Sequence, residues 1–133
     1  MATHRSHVII DVSPDALWRV ISDAPRIADW FPAISASDGS AARRTVILGS
    51  GERLEELVVT NDSSLRRFQY SIAGGDLPVE RHLGTIDVIQ LAPSQSLLVY
   101  GTEIEPASLA EALGPAIEAA VDGLSKYMHE HNF

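Results

Sequence analysis

Eighteen acidic residues against ten basic ones give this 133-residue chain a net charge of −8, a surface that repels phosphate backbones and anionic headgroups. Hydrophobic residues make up 45% and charged residues 21%, the mixture of one ordinary globular domain spanning 1–133. No cysteine is present, which excludes disulfides, thiolate metal sites and a cysteine nucleophile.

The first residues, Met1-Ala-Thr-His-Arg-Ser-His7, lack the apolar stretch of a signal peptide, and no run reaches the roughly 18 apolar residues that span a bilayer. A cytoplasmic location without integral membrane association is the expectation. The basic doublets Arg43-Arg44 and Arg66-Arg67 are short and lie in strand-like segments. Each puts one side chain on each face, so no nucleic-acid partner is expected.

His7-Val-Ile-Ile-Asp-Val12 is rich in β-branched residues and predicts a first strand. Ser13-Pro14-Asp15 starts a helix over Pro14–Ile21, with Ser13 as its cap and Pro14 in its first turn. A second short helix is predicted near Arg26–Asp29, ended by Trp30-Phe31-Pro32. Ser37-Asp-Gly-Ser40 reads as a turn, followed by strands over Arg43–Leu48, Glu52–Val59, Leu65–Ile72, Glu80–Leu91 and Leu97–Glu105. Turn signals recurring about every ten residues argue for an antiparallel meander rather than a parallel βαβ sheet. The chain closes on a long amphipathic helix. Ser108-Leu-Ala-Glu111 resembles a capping box, and Leu109, Leu113, Ile117, Ala120, Val121, Leu124 and Met128 form its apolar stripe. Gly114-Pro115 predicts a kink or restart within it.

One strand, two small helices, a meander and a long closing helix form the element order of the helix-grip fold, an α+β architecture with a curved antiparallel sheet over a cavity. The chain resembles the START-like (SRPBCC) superfamily, which holds the birch pollen allergen, the polyketide cyclase/dehydrase proteins and the plant abscisic-acid receptors. The resemblance is carried by Asp23-Ala-Pro-Arg-Ile-Ala-Asp-Trp-Phe-Pro-Ala-Ile34, Gly51-Glu-Arg-Leu-Glu55 and Ser71-Ile-Ala-Gly-Gly-Asp76 through Thr85. Against the receptors, Glu52 falls at a pocket carboxylate, Tyr70 at an aromatic wall position and His82 at a pocket tyrosine. The receptors' gate is reduced here to Leu48-Gly-Ser-Gly51, and their latch is replaced by Leu77-Pro78-Val79. Gate-and-latch hormone reception is therefore not expected.

Alternation places Glu52, Leu54, Glu56 and Val58 on one face of their strand, and His82, Gly84, Ile86 and Val88 on one face of theirs. If both faces are concave, Glu52 and His82 project into an apolar hollow, where desolvation brings a carboxylate and an imidazole toward neutrality. They are the candidate acid/base pair. The same residues also fit a rim ion pair with Arg53, Arg67 or Arg81 and a backbone-bonded histidine. Tyr70, Leu54, Phe68, Ile86, Leu113, Ile117 and Trp30 are the candidate ligand-contacting residues, with small Ala116 and Ala120 marking where helix and sheet fail to meet. His4, His7, His129 and His131 lack metal-site spacing, so neither metal nor cofactor is expected. The resulting expectation is a monomer or homodimer that binds a small hydrophobic or aromatic molecule. The alternatives are a polyketide cyclase or dehydratase using Glu52 and His82, and a ligand-dependent regulatory module.

Overall fold

The computed structural model describes residues 1–131. Seven strands, β1 (Ala2–Ile10), β2 (Ile34–Gly39), β3 (Arg43–Leu48), β4 (Arg53–Asp62), β5 (Arg67–Gly75), β6 (Arg81–Ala92) and β7 (Gln95–Glu105), form one antiparallel sheet in the order β1-β7-β6-β5-β4-β3-β2. Helix α1 (Pro14–Ile21) and a 3-10 segment (Ala24–Asp29) join β1 to β2, and α2 (Ala110–His131) closes the chain. This is the helix-grip arrangement expected from the element order.

The sheet curls because its strands are irregular where they bend. β4 and β5 lose register between Glu55 and Glu56 and again between Val58 and Thr60; such bulges sharpen twist and fold a sheet toward one face. On β5 the alternation expected from sequence holds, with Phe68, Tyr70 and Ile72 buried between more exposed neighbours. On β6, His82, Gly84, Ile86 and Val88 face inward in the same way.

Three local expectations change. The first strand begins at Ala2, because β1 pairs with β7 without interruption from Ala2↔Ile104 to Ile10↔Ser96. Its polar residues Thr3 and Arg5 face solvent on an edge strand, which hides the strand from a reading based on apolar content. The segment read as the turn Ser37–Ser40 is mostly β2, an edge strand with only Ile34 buried. The Ser37 hydroxyl accepts the Ala28 amide at 3.1 Å and donates to the Pro25 carbonyl at 2.8 Å, tying β2 to the 3-10 segment. Ser108 lies inside a short 3-10 turn (Ala107–Leu109) instead of capping the last helix, and α2 runs on through Pro115 without a break. Pro115 lies past the first turn of α2, so the helix forgoes the one backbone bond that an amide at this position would donate to the Glu111 carbonyl.

α1 is capped as expected, the Ser13 hydroxyl accepting the Ala16 amide at 3.2 Å. The α1 end of the molecule is packed solid. Leu17, Ile21, Phe68, Ile86, Leu98, Tyr100, Leu124 and Met128 are all almost wholly buried there. Trp30, Phe31 and Tyr100 add tilted and edge-on ring contacts with centroids 5.8 to 6.4 Å apart. α2 leans chiefly on β1 and β7, so the half of the sheet built from β3 to β6 curls away from its first turns.

Gly123 fixes how closely α2 approaches the segment after the 3-10 helix. A Cβ at Gly123 would stand 2.5 Å from the Trp30 carbonyl oxygen and 2.9 Å from Pro32. The nearest of these is backbone and cannot swing aside. Gly123→Ala is therefore expected to cost about 1–3 kcal/mol through overpacking, although alanine normally stabilises a helix interior by about 1 kcal/mol over glycine. Urea unfolding gives the sign directly.

Candidate functional site

Where α2 and the curled sheet separate they leave an interior cavity of about 380 Å³. Its walls come from β2 (Ile34), β3 (Val46, Leu48), β4 (Leu54, Glu56), β5 (Tyr70, Ile72), β6 (His82), β7 (Thr102) and α2 (Leu113, Ala116, Ile117), with Ile27 and Phe31 from the connecting segment. Gly49, Ser50 and Ala112, which also line it, are exposed. The mouth therefore lies between the β3–β4 turn and the start of α2, with Leu77 and Leu109 half-buried beside it.

Two rows of cross-strand neighbours build the inner wall. One runs Arg44↔Glu56↔Ile72 and the next Val58↔Tyr70↔Gly84↔Thr102↔His4. Gly84 has a specific task in the second row. A Cβ there would lie 2.5 Å from the Tyr70 ring, so only glycine lets that ring lie across β6. The Tyr70 hydroxyl thereby reaches the Tyr100 hydroxyl on β7 at 2.5 Å. Burial pushes both phenols well above their ordinary pKa, so the pair stays protonated and supplies no base.

Arg44 and Glu56 form a buried ion pair behind this floor. Arg44 is 2% and Glu56 5% exposed. Arg44 Nε donates to Glu56 Oε1 at 2.8 Å and Nη1 to the Ala24 carbonyl at 2.9 Å, while Nη2 is buried without a partner. The guanidinium also lies over the Phe68 and Tyr70 rings, 5.4 and 4.7 Å from their centroids. Burial pushes the Glu56 carboxyl up, and the adjacent guanidinium opposes that shift. Arg44 has no second counter-charge, so a proton on Glu56 would leave a lone buried cation. The pair is held as ions.

His82 sits beside Tyr70, their ring centroids 5.3 Å apart. The β5–β6 register runs from Arg67↔Asp87 as far as Tyr70↔Gly84. One step further on, the Ile72 amide donates to His82 Nδ1 at 3.1 Å. That bond makes Nδ1 the acceptor and leaves the proton on Nε2. Burial lowers the His82 pKa from 6.5 to about 4, so at neutral pH the ring is an uncharged donor on the cavity wall. Thr102 completes the polar set, with its hydroxyl buried and unpartnered.

Of the candidates taken from sequence, Tyr70, Leu54, Leu113, Ile117 and His82 line the cavity. Glu52 does not. It precedes the first residue of β4, and its carboxylate accepts the Ser50 hydroxyl on the turn. This bond holds its pKa below the ordinary carboxylate range. The inward carboxylate is Glu56, two alternations further along the strand. Phe68, Ile86 and Trp30 face the same interior but belong to its filled end, and none lines the cavity. Ala116 lines it, whereas Ala120 is packed in the core. Sequence reasoning missed Thr102 on the wall and Arg44 behind it, although alternation from buried Val46 points Arg44 inward. Among the described residues no three histidine, aspartate or glutamate side chains converge as a metal site requires, and no helix is long and apolar enough to cross a membrane.

Over residues 1–129 the sequence matches the family described as polyketide cyclase / dehydrase and lipid transport. The chain belongs to that family. No curated protein matches it significantly. Among solved structures it is similar to the protein XoxI from Bacillus cereus, with a TM-score of 0.86, 21% identity and coverage of 100% of this chain and 99% of that one. It also superposes on a START superfamily protein from Mycobacterium smegmatis, with a TM-score of 0.74, 14% identity and coverage of 97% and 95%. A third likeness is to the di-domain ARO/CYC BexL of the BE-7585A biosynthetic pathway, with a TM-score of 0.81 and 13% identity. There it covers 97% of this chain and 47% of the longer one. At these identities the likenesses establish the START-like fold. The family contributes a role in hydrophobic-ligand binding or cyclisation.

Proposed function

We propose that this family member binds a small, mainly apolar molecule of polyketide, lipid or isoprenoid type in its interior cavity. The observation that supports the reading is the cavity itself. About 380 Å³ of space lined by apolar side chains, with Glu56, His82 and Thr102 as the few polar groups, has the size and make-up of a small-molecule site. In this reading the chain acts as a single cytoplasmic domain whose partner is the ligand, with no role in nucleic-acid binding.

Native mass spectrometry and calorimetry with aromatic polyketides, long-chain alcohols and isoprenoid alcohols test it. Ala116→Trp, which fills the cavity from α2 without touching its polar groups, is expected to weaken binding at least tenfold while the far-ultraviolet circular dichroism stays unchanged. Undiminished affinity in that variant would place the ligand elsewhere.

A second reading is supported by the placement of a carboxylate and a neutral imidazole on one cavity wall. A cyclase or dehydratase needs one group to accept a proton alpha to a carbonyl and another to deliver one to the departing hydroxyl. Glu56 takes the place first assigned to Glu52, beside His82. Glu56→Gln and His82→Asn would then abolish turnover of a poly-β-ketone substrate while affinity changes little. In a pure binder there is no turnover to lose.

A further inference from the structure

The charges around the cavity are arranged with one sign toward its interior, and this restricts the ligand that fits. Glu56 is the one side chain lining the cavity that carries a charge at neutral pH. Its Oε1 is occupied by Arg44, and Oε2 has no hydrogen-bond partner among the described residues. Unlike Arg44 Nη2, Oε2 is not sealed off, and it is accessible from the cavity that Glu56 lines. Arg44 is placed behind the carboxylate and is not part of the lining. Its donors serve Glu56 and Ala24 while its face rests on Phe68 and Tyr70. A ligand entering from the mouth therefore meets the anion of the pair and cannot reach the cation.

The remaining polar groups suit a hydroxyl. His82 presents an Nε2–H donor, because Nδ1 is taken by the Ile72 amide. The Thr102 hydroxyl is buried and without a partner, although the residue lines the cavity; a turn about its Cα–Cβ bond would bring the hydroxyl to the cavity face, where it can donate or accept. One oxygen bearing one hydrogen satisfies this set by donating to Glu56 and accepting from His82 or Thr102. Toward the mouth the lining is Leu48, Leu77, Leu109 and Leu113, which suits an apolar body trailing behind the buried head. A carboxylate head would place a second anion beside Glu56 in a water-poor cavity with no free cation on its wall. Like charges at such a separation strongly disfavour one another.

We propose that the cavity selects uncharged amphiphiles whose buried end is a hydroxyl (a phenol, an enol or an alcohol) and rejects the matching carboxylates. Glu56 accepts the ligand O–H while His82 or Thr102 donates to its oxygen. This rests on the cavity reading above and adds the chemistry of the head group to it.

The experiment uses two matched series on the full chain at pH 7.5. One is 2-naphthol, 2-naphthoate and 2-methylnaphthalene; the other is decanol, decanoate and decane. Calorimetry or ligand fluorescence reads their dissociation constants. The alcohol is expected to bind about tenfold more tightly than the hydrocarbon and at least a hundredfold more tightly than the carboxylate. Thr102→Val, nearly isosteric, is expected to lower alcohol affinity three- to tenfold and leave the hydrocarbon unchanged. Glu56→Gln is expected to shrink the discrimination against the carboxylate at least tenfold; should it fail to fold, the Thr102→Val arm decides the matter alone. Hydrocarbons that bind as tightly as alcohols, or carboxylates within threefold of them, would overturn the head-group assignment and leave the cavity reading standing. If no member of either series binds, both fall together.

Discussion

Arg44→Met is expected to destabilise the protein by about 3–5 kcal/mol, the cost of leaving a buried carboxylate without its counter-ion. Arg44 is 2% exposed and Glu56 5%, so water reaches neither group freely. The loss is not a measure of how much the ion pair contributes to folding. Desolvating two ions offsets most of their mutual attraction, and a well-packed apolar pair of similar volume can be as stable. The double variant Arg44→Met/Glu56→Leu separates these ideas. It is expected to recover most of what the single change loses, which in a double-mutant cycle appears as a coupling of roughly 2 kcal/mol or more. Against a typical total stability of about 5–15 kcal/mol, the single variant alone removes a large fraction. Urea unfolding of the four proteins gives the result. A single variant that loses less than about 1 kcal/mol would mean that Glu56 is reached by water and is not the sequestered anion described above.

That prediction also marks the boundary of what the chain discloses before it folds. Periodicity of two assigns a face, and on β5 and β6 it does so correctly for Phe68, Tyr70, Ile72, His82 and Ile86. It does not assign depth along the strand. Phe68 and Ile86 share the face of Tyr70 and His82 yet fall where α1 and the second half of α2 fill the interior. Glu52 and Glu56 have the same parity, so alternation alone favours neither. What separates them is the start of β4 at Arg53 and the capture of Glu52 by Ser50, both settled by how the β3–β4 turn closes. Arg44 is the plainest case. The doublet Arg43-Arg44 in a strand must send one cation inward. That it meets Glu56 follows only from the β3–β4 register, in which Arg44 and Glu56 are direct partners. The cavity is likewise a product of assembly, made by the tilt of α2 toward β1 and β7 and the bulges that curl β4 and β5. The edge strand β2 escaped detection because its small residues are held by contacts made on folding: Ala36 and Ser37 pair with β3, the Ser35 hydroxyl bonds the Ile47 carbonyl, and Ser37 bonds the 3-10 segment. Its own propensity is weak.

The second large effect expected is a loss of stability in mild acid that originates at His82. Its pKa falls from 6.5 to about 4 on folding, and burial is the cause. A group with a depressed folded pKa binds more protons when the chain is unfolded, so its contribution is complete above pH 6.5 and shrinks as pH falls toward 4. A shift of that size corresponds to roughly 2–3 kcal/mol at pH 4, most of it gone by pH 5. Protonation would also put a hydrogen on Nδ1 and abolish the bond from the Ile72 amide. His82→Asn isolates this contribution, since an asparagine side-chain oxygen can take the place of Nδ1 as acceptor and carries no proton to titrate. The difference in stability between the two proteins, followed by urea unfolding from pH 7.5 to pH 4, cancels groups common to both. Glu56 is among them, and its raised pKa acts with the opposite sign, favouring the folded state as pH falls. The wild type is expected to fall relative to His82→Asn through the window between 6.5 and 4, and parallel curves would show that the imidazole titrates in contact with water. Such a result would also remove the fixed tautomer. A solvated ring can donate or accept at either nitrogen, and the preference for a buried hydroxyl would then rest on Glu56 and Thr102 alone.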